Sequence, residues 1–276
     1  MHNYARKRRA AKLTAAFVSI ALVVSMAACS QSGGNKLRVG LECDYAPFNW
    51  TQPDASNGAA QIEGGGYAGG YDIEIAKKVA AGLNKELVIV KTDWDGLLPG
   101  ITSGKIDAII AGMSPTDDRK QSIDFTDNYY MSDLVIVVRK DGPYAGAKSL
   151  LDFSGAKITA QLNTFHETVI DQIPGVMKET PLEDFPTMIV ALTSGKIDGY
   201  VSERPGAKSA AETNPNITFV IPEPGFEYSP DDAAIAIGLK KGSPLTADIN
   251  KILAGISESE RETLMMQALD NQPSTD

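Results

Sequence analysis

Short apolar runs alternate along this chain with segments whose apolar residues recur at helical spacing. Residues 37–41 (LRVGL) read as a strand. Asp72 reads as the cap of a helix that carries Ile73, Ala76, Val79, Ala80 and Leu83 on one face. Residues 87–90 (LVIV) form an unbroken apolar strand, as a parallel sheet covered on both faces requires. A helix over 94–102 and a strand over 107–111 follow. This alternation predicts an α/β fold with ligands at the C-terminal ends of parallel strands.

The hexapeptide TSGKID stands at 102–107 and again at 193–198. Each copy ends a helix, turns at glycine and starts a strand, so the second half of the chain reuses a unit of the first. Strands are expected at 157–160, 198–201 and 217–220, and helices at 164–173 and 184–193. Two lobes facing a cleft result: residues 37–138 with 233–276, and residues 139–232. The runs 134–139 (LVIVVR) and 233–239 (AAIAIGL) are expected to cross between the lobes as hinge strands, so that ligand binding closes the cleft. Near the C-terminus, Gly255 ends one helix, and Ser257 with Glu260 reads as a capping box for the next. The stretch 51–70 is rich in Gly, Ala, Ser and Asn and reads as a long hairpin or mobile loop.

Composition changes the picture at the N-terminus. Arg6, Lys7, Arg8, Arg9 and Lys12 precede an apolar segment, 13–26, too short to span a membrane comfortably. Met26-Ala27-Ala28-Cys29 resembles a lipobox, which makes residues 1–28 a lipoprotein signal peptide and Cys29 the lipidated residue. Residues 29–36, with SQSGGN, read as a flexible tether. The whole chain has a net charge of −9, from 26 basic and 35 acidic residues. The leader holds five of the basic residues and none of the acidic ones, so the remainder has 21 against 35, or −14. Such a balance argues against nucleic acid as a partner.

Catalytic and metal chemistry find little to work with. Cys43 is alone once Cys29 is set aside, so no intrachain disulfide is available. Beyond the leader His166 is the one histidine, and no C-x-x-C or H-E-x-x-H stands beside it. No metal, cofactor or catalytic residue is expected. The stretch 109–119 (IIAGMSPTDDR) is more informative. An apolar strand turns at Gly112; Ser114 and Thr116 follow, Thr116 caps a polar helix, and Arg119 falls in its first turn. Two hydroxyls and one guanidinium at a strand end suit a small carboxylate, because an arginine fork matches both carboxylate oxygens.

The pattern G-M-S-x-T-x-x-R at 112–119, with YAPF at 45–48 and GYDIEIA at 70–76, resembles family 3 of the solute-binding proteins of ABC importers. The resemblance runs from about Leu37 to about Leu269. It implies a two-lobed, type II periplasmic-binding-protein fold and a polar amino-acid ligand handed to a membrane permease and ATPase. It also implies a monomer held outside the cytoplasm by the lipid on Cys29. By the same resemblance, Arg119 with Ser114, Thr116 and the Gly112 turn holds the α-carboxylate. Asn163-Thr164-Phe165 matches a Gly-Thr-Thr-like turn, with Asn and Phe as departures. Glu203 takes the α-ammonium, Tyr45 and Trp94 flank the ligand side chain, and Glu42 reads its far end.

A zwitterion makes physical sense of this set. Both charges lose water when a cleft shuts, and each then needs a charged, hydrogen-bonding partner. Two planar aromatic faces and a carboxylate favour a guanidinium, so arginine is the expected ligand and glutamine the alternative. A dehydratase built on the same fold, and a sensory receptor that signals through a separate partner, are the competing classes.

Overall fold

A computed structural model of the chain describes residues 35–273. The signal peptide, Cys29 and most of the tether lie outside the described residues.

Two five-stranded sheets repeat one plan. The first has the order Glu86–Lys91, Lys36–Leu41, Ala108–Ile109, Ala234–Lys240, Ile123–Met131. Lys36–Leu41 and Ala108–Ile109 run parallel, while Ala234–Lys240 is antiparallel to both of its neighbours. The second has the order Met177–Lys178, Lys157–Thr159, Gly199–Glu203, Leu134–Arg139, Ile217–Val220. Its first three strands are parallel, and Leu134–Arg139 is antiparallel to both of its neighbours.

The repeated hexapeptide builds the same joint in each sheet. Gly104 and Gly195 both adopt left-handed φ angles, +79° and +75°, at the helix end. Asp107 and Asp198 then start equivalent strands. Asp107 takes two bonds from the Arg38 guanidinium, at 3.0 and 2.7 Å, and Asp198 takes one from Arg139 at 3.1 Å. Each of these carboxylates also accepts a backbone amide of the neighbouring strand, Arg38 N at 2.9 Å and Lys157 N at 3.0 Å. Each joint therefore locks a helix end to its sheet.

Side-chain alternation along Leu134–Arg139 serves two cores. Val135 and Val137 enter the large cluster that also holds Val39, Ile109 and Leu192, whereas Leu134, Ile136 and Val138 enter a smaller one with Phe153, Ile158 and Val201. Burial on both faces explains why the sequence reads LVIVVR without a polar break.

Three expectations change on contact with the structure. The runs read as hinge strands do not themselves cross between sheets. Leu134–Arg139 pairs only within the second sheet and Ala234–Lys240 only within the first. The chain crosses at Ser132 and Asp133, and again on the way to Ala233, and Ser132 N donates to Ala233 O at 3.0 Å to tie the crossings together. An apolar run marks burial, not the point of crossing.

Asp72 does not cap its helix. Gly70, at φ +123°, takes that position ahead of Tyr71–Gly82, and an added Cβ there would lie 2.3 Å from Phe48 O. Asp72 is instead buried, accepting from Asn49 Nδ2 at 2.9 Å and from the Tyr129 hydroxyl at 2.7 Å, and burial pushes its carboxyl up to about 7. The capping box at Ser257 is half formed. Ser257 Oγ accepts from Glu260 N at 3.2 Å, but the Glu260 carboxylate turns to Lys78.

The stretch 51–70 folds with its flanks into a four-stranded sheet of Asp44–Tyr45, Asn49–Gln52, Tyr67–Gly69 and Ala60–Gln61. Its first strand carries Tyr45 toward the region between the two large sheets.

Candidate functional site

Loops at the strand ends of both large sheets meet around one small polar space. From the first sheet, the strand Ala108–Ile109 leads to Gly112, whose φ of +61° turns the chain; an added Cβ there would lie 3.1 Å from the Tyr45 ring. Ser114 follows, its Oγ donating to Asp232 O at 2.7 Å. Thr116 caps the short helix Asp117–Ser122, its Oγ1 accepting from Arg119 N at 3.4 Å. Arg119 is only 9% exposed. Its guanidinium donates to Ser114 O at 2.9 Å and to Asn163 O at 3.1 Å, and lies 5.0 Å from the centre of the Trp94 ring. Arg119 thus holds backbone belonging to both sheets. Burial lowers its pKa to about 10, against the opposing pull of Glu203 and Asp232, and it stays charged at neutral pH.

From the second sheet, Gly199–Glu203 ends in Glu203, which also stands at the N-cap position of the helix Arg204–Thr213. Glu203 is buried, and each of its oxygens has one neighbour: the Tyr45 hydroxyl donates to Oε2, and His166 Nε2 lies 3.1 Å from Oε1. Burial pushes this carboxyl up, but the attraction of a protonated His166 ring and the bond from Tyr45 outweigh that, so it titrates below the usual range. Asn163 has φ +58°, the left-handed region that asparagine tolerates better than most residues. It therefore does the backbone work of the glycine it replaces. Its amide also donates to Asp95 Oδ1 at 2.8 Å. Thr164 donates to Gln161 O at 2.7 Å, and Phe165 opens the helix Phe165–Val169.

Ten of the eleven ligand-binding candidates fall at this junction. Tyr45, Trp94, Gly112, Ser114, Arg119, Thr164, Phe165 and Glu203 line the inner space, which is about 10 Å³, room for the centre of one water. Thr116 and Asn163 line a wider mouth just outside, about 850 Å³, where Asp95, Asp117, Asp118, Glu167 and Asp232 gather. Glu42 is set apart. It is buried at 4% exposure, bonded to Gln161 Nε2 at 2.9 Å, and Gln161 rather than Glu42 faces the inner space. Burial, with Asp44, Asp184 and Asp93 nearby, pushes the Glu42 carboxyl up to about 9.

The aromatic pair is also arranged differently from a simple sandwich. Tyr45 stacks on Phe185, with ring centres 4.0 Å apart and planes 9° apart, while Trp94 covers Arg119. Gln161, His166 and Phe185 line the inner space without having been singled out as site residues in the sequence. Gln161 and His166 flank the Asn163-Thr164-Phe165 turn and were within reach of that motif. Phe185 reads as an ordinary apolar residue at a helix start, and only the fold brings it under Tyr45.

An arginine and a glutamate that reach one inner space from opposite sheets suit a zwitterionic solute enclosed between two halves of a protein. Residues 37–268 match the bacterial extracellular solute-binding proteins, family 3, and the chain belongs to that family. It is accordingly a binding protein rather than an enzyme. A probable histidine-binding protein of Campylobacter jejuni is 33% identical over 199 residues, 71% of this chain and 72% of the relative. The arginine-binding extracellular protein ArtP of Bacillus subtilis is 29% identical over 252 residues, 90% of this chain and 91% of its own. The crystal structure of the amino acid ABC transporter substrate-binding protein AbpA of Streptococcus pneumoniae, bound to L-arginine, shares the fold. It has a TM-score of 0.74 and 29% identity, covering 86% of this chain and 96% of that one. Among the described residues, no helix is long and apolar enough to cross a membrane, and no group of three or more His, Cys, Asp or Glu is placed to hold a metal ion.

Proposed function

We propose that this protein captures a cationic amino acid, arginine before all others, between lobes built on its two large sheets and presents it to an ABC permease and its ATPase. The observation that carries this reading is the placement of Arg119 and Glu203 on one inner space from opposite sheets. Arg119 takes the α-carboxylate and Glu203 the α-ammonium. Neither sheet alone offers both charges, so the ligand stabilises closure through its differential affinity for the closed form. Admission requires the sheets to part or the lining to rotate, because an amino acid is far larger than about 10 Å³.

Glu42 is the reason for preferring a cation. It stands behind Gln161 with Asp44, Asp93 and Asp184 around it, an environment that repels an anion and rewards a guanidinium or ammonium. The relatives named for arginine and histidine are consistent with this preference. In the same reading the chain is a monomer anchored outside the cytoplasm by a lipid on Cys29.

A thermal-shift screen of the purified chain against the common amino acids tests the proposal. A ligand at 100 times its Kd adds about 2.7 kcal/mol to the folded state, so arginine should raise the melting temperature clearly. No shift with any amino acid contradicts the receptor assignment. For the anchor, Cys29→Ser should abolish lipid labelling and free the protein from membranes; unchanged labelling contradicts it.

A further inference from the structure

His166 has no part in the capture scheme above, yet it lines the inner space. It is 3% exposed and shares that space with Arg119 and Glu203. Neither ring nitrogen makes an aligned hydrogen bond, although Nε2 comes within 3.1 Å of Glu203 Oε1. Buried polar atoms are normally satisfied, and an imidazole with both nitrogens unbonded at the rim of a ligand space calls for a partner. The edge of Phe165 packs on it, with ring centres 4.6 Å apart, and holds the ring in place.

We propose that His166 is a positioning residue for Glu203 and, when protonated, an internal counter-ion that competes with the ligand's α-ammonium for that carboxylate. The inference rests on the reading of Glu203 as the ammonium partner. Geometry supports it in two ways. Tyr45 already occupies Oε2, so His166 and an incoming ammonium must share what remains of the carboxylate. The charges around the ring also leave Glu203 as its principal anion. Arg119, on the same inner space, repels a second cation. Glu167 follows His166 in the chain but lines the outer mouth, and Asp171 in the succeeding turn pairs with Lys178 at 3.0 Å. The Tyr45 hydroxyl, on the far side of the carboxylate, is neutral and donates to it.

Histidine is the side-chain type that ordinarily changes charge between pH 5 and 8. Protonating the ring gives Glu203 a fixed cation, and a ligand must then displace either the proton or the ring. Binding and protonation oppose one another, and by linkage the opposition is mutual. The receptor would hold its ligand less tightly on acidification, and ligand-loaded protein would resist protonation of His166.

Calorimetry with L-arginine at pH 7.5 and pH 5.5, on wild type and His166→Gln, measures the effect. Any proton exchange at Glu42 is common to both proteins and cancels in their ratio. The wild type should lose about tenfold more affinity than the variant over this interval, an average of about half a proton of competition across the two pH units. A second measurement needs no variant for its main result. The imidazole resonance of His166, followed by NMR, should titrate at a lower pH in the arginine-saturated protein than in the free one, and His166→Gln serves only to assign it. Equal pH dependence in the two proteins, with an unmoved midpoint, overturns the inference while arginine binding itself leaves the receptor reading standing. If no amino acid binds at any pH, the receptor reading falls and this inference falls with it.

Discussion

Tyr45 and Glu203, 158 positions apart, meet across the junction of the two sheets, where the phenol donates to Oε2 of the carboxylate. The contact raises the tyrosine far above its usual range, after burial, and helps hold the glutamate below its own. It fixes the Glu203 carboxylate and couples the small sheet carrying Tyr45 to the second large sheet. Replacing Glu203 by Ala should therefore weaken every amino-acid ligand and reduce the compaction that ligand produces in small-angle scattering. Normal compaction of that variant would assign the ammonium to another group.

Arg119 bridges the sheets through Ser114 O and Asn163 O, and its charge has little water around it. Truncation to Ala should weaken binding of all α-amino acids by a similar factor, on the order of 2–5 kcal/mol for one partner of a buried charge pair. Arg119→Lys should also bind poorly, because an ammonium cannot form the planar fork or cover the Trp94 ring as well. Near-native calorimetric affinity in Arg119→Ala would remove the carboxylate clamp.

Asn163 separates backbone from side-chain effects. Its φ of +58° suits asparagine or glycine, and its amide bonds to Asp95 at the outer mouth. Asn163→Ala should lower the melting temperature: both residues carry a Cβ, but alanine lacks the short polar side chain that eases asparagine into the left-handed region, where an L-residue otherwise loses about 1–2 kcal/mol. Asn163→Gly should avoid that strain but lose the tie to Asp95, and Asp95→Ala should share its loss of affinity. Since the tie lies outside the inner space, that loss should be equal for all ligands. A change in ligand ranking in Asp95→Ala would contradict the placement of this tie outside the ligand space.

Glu42 gives a pH dependence with a definite sign. Burial raises it from 4.5 to about 9, so the folded chain keeps a proton that the unfolded chain has released between those values. The associated stability is complete below 4.5 and is lost as pH rises toward 9. A cationic ligand prefers the ionised carboxylate and expels the proton, so arginine affinity should rise with pH, by up to about tenfold per unit for one proton released. Glutamine should lack this part of the pH dependence and keep only what every α-amino acid shares through Glu203 and His166. Calorimetry in buffers of different ionisation enthalpy reads the proton directly; equal release by arginine and glutamine, or none by arginine, would detach Glu42 from the ligand.

Much of this organisation was legible in the sequence, because it is carried by local rules. The hexapeptide at 102–107 and 193–198 announces two equivalent joints, since each needs a left-handed glycine followed by an aspartate that receives an arginine. Thr116 and Arg119 sit three residues apart in a capped first turn, which fixes their relative position. What was hidden depends on contacts between distant segments. Asp72 has the position of a cap, and only Asn49 and Tyr129 reveal it as a buried acceptor. Glu42 stands at a strand exit, yet Gln161 from the other sheet decides what lies in front of it. Phe185 enters the site because the second sheet brings a helix start against Tyr45, and no spacing within the chain encodes that.

We propose that the enclosed solute is an amino acid with a cationic side chain. Titration calorimetry of the purified chain with arginine, lysine, histidine and glutamine, repeated on Glu42→Gln, tests it most directly. Arginine should bind wild type most tightly, and the variant should lose affinity for the cationic ligands while glutamine changes little. Tighter binding of glutamine than of arginine by the wild-type protein would contradict the account.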